Sequence, residues 1–445
     1  MRVDPSANPV KLPRLTPEQA LARRGVAVDE TALAQVTPIV ADVRRRGDAA
    51  VRDHALRLGD LDEGAPLVIT RDQLSAALER LPRDQRDLLT RTAARIRAFA
   101  QAQRDALRDV VLPIPGGSAG HRFEALRRAG CYAPGGRHPL PSSVLMTTIP
   151  ARVAGVREIV VASPRPTPIT LAAAALGGAD RLLAVGGAQA IAALACGTES
   201  IPKCDVVVGP GNRYVTAAKR LVSTDVAIDF LANPSKLLVV ADAFADARAI
   251  AADLLAQAEH DDDARPMLLA TTEAMVAAVE RELELQLADL PTAATARVAL
   301  ANGCAIVVAS AGSGADARAD TRAANDATID LANALAPEHL HLHRRDAADL
   351  APRLVDAGTL FIGGDAAEVL GDYGAGPNHV LPTGGSARAR GGLSVLDFLR
   401  ARTWLRIDER RAAAPLARDA ADLARLEGLE GHARAAELRL RDDAR

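Results

Sequence analysis

From residue 157 onward, short apolar runs alternate with helical stretches. REIVVASP (157–164) precedes ITLAAAALGGA, RLLAVGG (181–187) precedes AQAIAALACG, and CDVVVGPGN (204–212) precedes YVTAAKRLVS. Runs this short and this uniformly apolar are buried on both faces. The helices between them carry the chain back to the same edge, which is the βαβ pattern of a parallel sheet. The series restarts at KLLVVAD (236–242), followed by a helix over 244–259, RPMLLATT and a long helix over 273–288. It continues through CAIVVAS (304–310) and reaches TLFIGGD (359–365), the expected last strand. The fold class expected is α/β, with two Rossmann-like domains in tandem.

The ends of the chain differ in texture. Residues 16–110 read as helices: TPEQ (16–19) and TRDQ (70–73) both carry the Thr…Gln spacing of a capping box. The tail from about 408 is helical and charged, which suits an arm that docks on something. These features divide the chain into a helical region over 1–125, α/β domains over 126–235 and 236–385, and an arm over 386–445. SAGSGADARADTR (310–322) is the nearest thing to a flexible loop. A length of 445 residues suits two or three domains, and with only 2% aromatics the cores must be aliphatic. The net charge of −2 lacks the basic excess of a nucleic-acid footprint. Cys131, Cys196, Cys204 and Cys304 form no CxxC pair and read as small core residues. No apolar run is long enough to cross a bilayer and MRVDPSANPVKLPRL has no signal-like apolar stretch, so a cytoplasmic location is expected.

Two glycine loops precede helices: YAPGGRHPLPSS (132–143) and GPGN (209–212). Either can present backbone N–H groups to phosphate. GPGNRY lacks the third glycine of the dinucleotide fingerprint, so a tight turn explains it equally well. The nine histidines have different settings. His54 reads as a surface residue on a charged helix, His121 as part of a polar turn, and His138 as incidental in a Pro-rich loop. APEHLHLH (336–343) places Glu338 beside His339 and alternates His339, His341 and His343. That pattern fits either a metal face on a strand or an acid/base couple. In LLAQAEHDDD, Gln257 and His260 share one helix face at i and i+3, though such spacing is common on solvated helices. GDYGAGPNHVLPTGG (371–385) combines fixed turns with Asp372, Asn378 and His379, more often a site than a linker. ARLEGLEGHARA brings Glu427 near His432, a pattern that a solvated helix also explains. Gln257, His260, Asp372 and His432 together form an N/O donor set suited to Zn²⁺, but spacing alone cannot assemble them.

In this order, YAPGG, PSSVLMTTIPARVAGV, GGAQAIAALACGTESIPKCDVVVGPGN, LLAQAEH, APEHL, GDYGAGPNHVLPTGG, GLSVLDF and LEGLEGHARA resemble histidinol dehydrogenase, from about residue 130 to 440. The resemblance implies two successive NAD-dependent oxidations, of L-histidinol through L-histidinal to L-histidine, by a zinc-containing homodimer. It implies Gln257, His260, Asp372 and His432 as metal ligands, and Glu338 and His339 as the catalytic acid/base residues. Ser235, His379 and Glu427 match substrate positions, to which the metal and catalytic residues also contribute. Tyr132, Gln189 and Asn212 match NAD positions. The tail is implied to cross to the partner, so that Glu427 and His432 complete the partner's site. His339 would take the hydroxyl proton and Glu338 would activate water for the second oxidation, leaving His341 and His343 incidental in a following strand.

The chain departs from the family pattern at ANPSK (232–236), where Asn233 and Lys236 alter the surroundings of Ser235, at His341, and at RARGG (388–392). The first departure leaves room for a paralogue oxidising another polar primary alcohol, such as a sulfonated diol. A non-catalytic zinc scaffold would not need Glu338 and His339, and a zinc hydrolase finds no HExxH in this chain.

Overall fold

The computed structural model describes residues 10–23, 29–135, 139–231, 235–308 and 317–440. It is a mixed α/β architecture built on parallel sheets. The first sheet runs, edge to edge, Val68–Thr70, Arg181–Leu183, Glu158–Ala162, Arg128–Tyr132, Val206–Val208 and Ala227–Ile228. All its pairings are parallel except that of Val68–Thr70. The second sheet runs Cys304–Val307, Arg265–Ala270, Lys236–Ala241, His339–His343 and Thr359–Ile362, and is parallel throughout. In both sheets the first parallel strand in the chain lies centrally and the order reverses beside it. Such a switch point leaves a crevice between the loops that follow adjacent strands.

The expected helical region and arm are incomplete descriptions. Val110–Ile114 and Gly117–Ala125 form a hairpin, and Leu399–Ile407 pairs with it antiparallel along nine residues. Thr359–Ile362 is therefore not the last strand, and His121 lies within a strand rather than a turn. Val110–Ile114 and Leu399–Ile407 are largely exposed on both faces and Gly117–Ala125 is half-buried almost throughout, so the period-2 burial signal that exposes a strand in sequence is absent. The expected loop over 310–322 is helical from Ala317 onward, and its earlier residues lie outside the described ones. Both capping boxes form, at Thr16 with Gln19 and at Thr70 with Gln73.

The N-terminal helices share one apolar core with the first sheet, through residues such as Val36, Leu74 and Ile96, and Val380 to Phe398 return to the same core. The second sheet has a core on each face. The backbone of Pro13 and Leu15 bonds to Ala305 at its edge. No helix among the described residues is long and apolar enough to cross a membrane.

One buried ion pair fixes the glycine loop of the first sheet. Lys219 Nζ donates to Asp229 Oδ1 and to the Gly209 carbonyl, both at 2.6 Å, while Asp229 Oδ2 accepts from Gly209 N–H at 2.8 Å. Gly209 has φ +118°, and a Cβ there would sit 2.0 Å from the Tyr132 carbonyl oxygen, so only glycine lets the loop pass this close to the central strand. Removing one partner would strand the other charge in the core. Lys219→Met is expected to lower the unfolding free energy by about 3–5 kcal/mol, measured by urea denaturation. A loss below about 1 kcal/mol would mean that the pair is effectively solvated.

Candidate active site

The strand His339–His343 has two chemically opposite faces. Leu340 and Leu342 enter one core of the second sheet, while His339, His341 and His343 point the other way and are all buried. That second face meets the helix Ala247–Ala258, whose Asp253 and Gln257 lie one turn apart. His260 falls just past the helix end, its N–H still directed at the Gln257 carbonyl at 3.4 Å. The short helix Glu368–Asp372 follows the adjacent strand and places two carboxylates one turn apart. A helix, a strand and a short helix thus line up a stripe of polar groups where the sheet would otherwise be apolar.

Glu338 and His339 begin this stripe. Lys236 N–H donates to Glu338 Oε2 at 3.2 Å, and the Ser235 hydroxyl also hydrogen-bonds this carboxylate. Burial pushes the Glu338 carboxyl up to about 6, against the opposing pull of His339 and these donors. His339 Nδ1 is 3.3 Å from Glu368 Oε1 and its Nε2 is 3.5 Å from Asp372 Oδ1. Burial alone would lower its imidazole, but Glu368, Asp372 and Glu338 outweigh it and push the ring up to about 10. Glu368 is pushed up to about 8 by burial, with His339 opposing and the neighbouring carboxylates adding to the rise. Asp372 would be raised by burial, yet its contact with His339 and the nearby His379 and His260 hold it below its ordinary value.

His260, Glu368 and Asp372 each offer a donor atom, and these atoms lie within 4.8 Å of one another. His260 Nε2 is 3.8 Å from Asp372 Oδ2. Gln257 is 1% exposed, and neither its amide oxygen nor its amide nitrogen has a hydrogen-bond partner. Both ring nitrogens of His339 and both oxygens of Glu368 also lack properly directed partners. A buried amide without partners costs free energy unless something else satisfies it. A carboxylate-rich pocket with an orphaned amide oxygen and a partly exposed imidazole matches the donors that a borderline divalent cation takes. The residues therefore fit the Zn²⁺ ligand set expected for Gln257, His260 and Asp372. His432 is not brought to them: it is exposed on the C-terminal helix Glu430–Glu437, as is Glu427 at the end of the preceding helix.

The other expected residues fall into two groups. His379 lies against the polar stripe, its Nδ1 2.9 Å from the Asp372 carbonyl and its Nε2 3.3 Å from Ser143 Oγ. Burial holds its imidazole below the ordinary value. Since Ser143 belongs to a helix of the first sheet's half, His379 bridges the two halves. Tyr132, Gln189 and Asn212 gather at the carboxyl ends of the first sheet's strands. Tyr132 Oη accepts from Gly187 N–H at 3.2 Å, and Gln189 Nε2 donates to Asp60 at 3.1 Å, leaving the Gln189 Oε1 buried without a partner. Asn212 caps its helix, accepting from Tyr214 and Val215 N–H. His138, Asn233 and the last glycine of YAPGG lie outside the described residues.

The sequence profile of histidinol dehydrogenases matches residues 22–440. This chain belongs to the histidinol dehydrogenase family. Among relatives, the histidinol dehydrogenase of Thermus thermophilus is 46% identical over 420 residues, covering 94% of this chain and 97% of the relative. That of Bordetella parapertussis is 43% identical, with 93% and 92% covered. The crystal structure of histidinol dehydrogenase from Elizabethkingia anophelis superposes with a TM-score of 0.86 at 30% identity, covering 96% of this chain and 98% of that one. The family catalyses the final steps of histidine biosynthesis, as NAD-dependent oxidoreductases acting on CH–OH groups.

Within this family assignment, Glu368 is the buried carboxylate of the candidate site that the sequence reading missed. Its helix spans only five residues, too few for periodicity to show. The available signal was its i,i+4 spacing from Asp372, which stacks two carboxylates on one helix face. Two roles are open to it, a partner of His339 Nδ1 or a metal ligand. The distance to His339 favours the first. Glu368→Gln is then expected to cut turnover roughly 10-fold or more while zinc content stays at the wild-type level, read by elemental analysis beside steady-state kinetics. Loss of zinc from this variant would make Glu368 a ligand instead.

Proposed function

We propose that this chain is a zinc- and NAD-dependent L-histidinol dehydrogenase, carrying L-histidinol through L-histidinal to L-histidine in the cytoplasm. The observation that carries the reading is the buried Glu338–His339 pair set against the donors Gln257, His260 and Asp372 in a member of this family. Its two parallel sheets, each ordered around a central first strand, are read as Rossmann-like domains with incomplete dinucleotide loops. Residues 126–235 would bind NAD through Tyr132, Gln189 and Asn212, and residues 236–385 would hold zinc and the catalytic pair. The orphaned Oε1 of Gln189 supports the first assignment, although Asn212 already has work as a helix cap.

Zinc, when bound, supplies a fixed positive centre for the nitrogens of histidinol, and NAD supplies the hydride acceptor. The rest falls to side chains. With Glu368 Oε1 3.3 Å from Nδ1 of His339, a proton held on that nitrogen would leave Nε2 to take the proton of the substrate hydroxyl. A cation among the donors would claim Asp372, relieving the pull that otherwise keeps this imidazole protonated. Glu338, raised by burial, is suited to accept a proton from water attacking the bound aldehyde. Ser235 orients that carboxylate, and His379 and Glu427 are read as substrate contacts.

One protomer lacks the expected fourth ligand. His432 and Glu427 are exposed on a two-helix arm beside exposed Leu423, Leu426, Leu429 and Leu438. An arm with so much uncovered apolar surface supports a homodimer in which residues 386–445 cross to the partner. His432→Ala is expected to lower zinc content despite its distance in sequence, and full occupancy would refute its ligand role. Mixing it with His339→Asn should restore activity in hybrid dimers, since one of their two sites then has every residue.

The reading as a whole is tested by NADH formation from histidinol in zinc-loaded protein, with none formed counting against it. Glu338→Gln should slow oxidation of supplied histidinal by about 100-fold or more and oxidation of histidinol to the aldehyde far less. Equal losses in both half-reactions would remove the assignment of Glu338 to water activation.

A further inference from the structure

Beyond the catalytic pair, the strand His339–His343 continues into a second buried cluster. Asp253 Oδ2 lies 3.1 Å from His341 Nδ1 and 2.9 Å from His343 Nε2, and the two imidazole rings are 4.0 Å apart at their centroids. His341 is 0% exposed. One donor atom from each residue lies within 4.8 Å of the others. His341 Nε2 is 2.9 Å from the Gly363 carbonyl, which can only accept, so that nitrogen carries a hydrogen. In the neutral ring, Nδ1 then holds a bare lone pair, facing a carboxylate oxygen.

A proton on Nδ1 or a metal ion would relieve that contact. His341 Nδ1 has no hydrogen-bond partner, because its approach to Asp253 is misdirected for one. Two lone pairs at this distance repel, so a positive centre is needed between them. The 2.9 Å contact of His343 Nε2 with Asp253 Oδ2 is a hydrogen bond that a metal would replace. Edges of 2.9 and 3.1 Å are slightly shorter than the roughly 3.3 Å edge of a tetrahedron with metal–ligand bonds of about 2.0–2.1 Å. An imidazole whose other N–H is tied to a backbone carbonyl is the usual outer arrangement around a metal-bound histidine. The position is also telling. The cluster lies toward the carboxyl ends of Lys236–Ala241 and His339–His343, where the second sheet reverses its strand order. Open α/β sheets bind ligands outside such a point. Gly364, exposed, covers the His343 ring so closely that a Cβ would sit 3.4 Å from Nδ1.

We propose that Asp253, His341 and His343 form a second metal site, holding one divalent first-row cation through two imidazole nitrogens and a carboxylate. The site is separate from the donors around Gln257 and does not depend on the histidinol reading. It binds the strand of the catalytic pair to the helix of Gln257, so its cation keeps those two elements in register.

The test uses full-length protein stripped with chelator, reloaded with Co²⁺, desalted, and read by elemental analysis and visible d–d absorption. The variant His260→Ala/His432→Ala removes two exposed residues from the other donor set and leaves this cluster intact. It is expected to keep one equivalent per protomer, and adding His341→Asn should remove that equivalent and its absorption bands. Wild-type protein should hold two equivalents. If His341→Asn fails to fold, the count in His260→Ala/His432→Ala decides alone. Absence of cobalt from that double variant would overturn the site and leave a protonated His–Asp pair in its place. A single wild-type equivalent that survives His260→Ala/His432→Ala but not His341→Asn would support this site and count against the metal of the proposed active site.

Discussion

The structure depends on placing charge inside a parallel sheet. A strand buried on both faces ordinarily reads as continuous Val, Ile and Leu, because every polar atom there must find a partner away from water. His339–His343 keeps leucine on one face and gives the other entirely to histidine. The cost is met from neighbouring elements. The Ala247–Ala258 helix contributes Asp253 and Gln257, and the helix after the adjacent strand contributes Glu368 and Asp372. Each imidazole has a carboxylate within reach, and the carboxylates outnumber what the imidazoles can neutralise around His339. That imbalance makes this end of the stripe receptive to a cation, and it requires that the three elements move together.

The stripe would be of little use if the two halves of the molecule were independent. The loop over 371–385 ties them together. Asn378 Nδ2 donates to the Met146 carbonyl at 2.6 Å, His379 reaches Ser143, and Arg95 bonds to the Gly374 carbonyl. All three contacts run from a segment beside Asp372 to helices packed on the first sheet. The same loop leads to Val380, Leu393, Val395 and Phe398, which are part of the first core. The RARGG departure acts here too. Arg390 bonds to the Asp229 carbonyl, next to the ion pair that holds the glycine loop, and Arg388 bonds to the Ala334 carbonyl just before the catalytic strand. This segment therefore connects the glycine loop of the first sheet to the region before the His339–His343 strand through arginine side chains on main-chain carbonyls.

What was legible in the sequence follows from burial. Strands such as Glu158–Ala162, Lys236–Ala241 and Arg265–Ala270 are buried nearly throughout, and their composition alone exposed them. The helices of Thr16 and Thr70 were legible because capping is local chemistry. Leu399–Ile407 was not, since LRARTWLRI lies on solvent for most of its length and carries arginine where a core strand would carry valine. The site divided in the same way. Gln257, His260, Glu338, His339 and Asp372 stood out as residues and as family positions, but their convergence depends on which strand lies beside which. The order of the second sheet sets that convergence, and it has no signature in local spacing. The partner of His339, Glu368, was hidden for the same reason.

The alternation HLHLH admitted two interpretations from sequence, a metal face or an acid/base couple. The geometry distinguishes the histidines by what stands opposite each one. His339 faces Glu368 and Asp372 at the amino end of the strand, beside Glu338 and Ser235. His341 and His343 face one buried carboxylate that they must share, further along the strand. Identical side chains on one strand face thus have different chemical prospects. The helix crossing that face sets them apart: its Gln257 and Asp253 are four residues apart, so donors arrive one turn apart along the strand. Shifting the strand by two residues against this helix would put His341 where His339 now stands without altering any side chain.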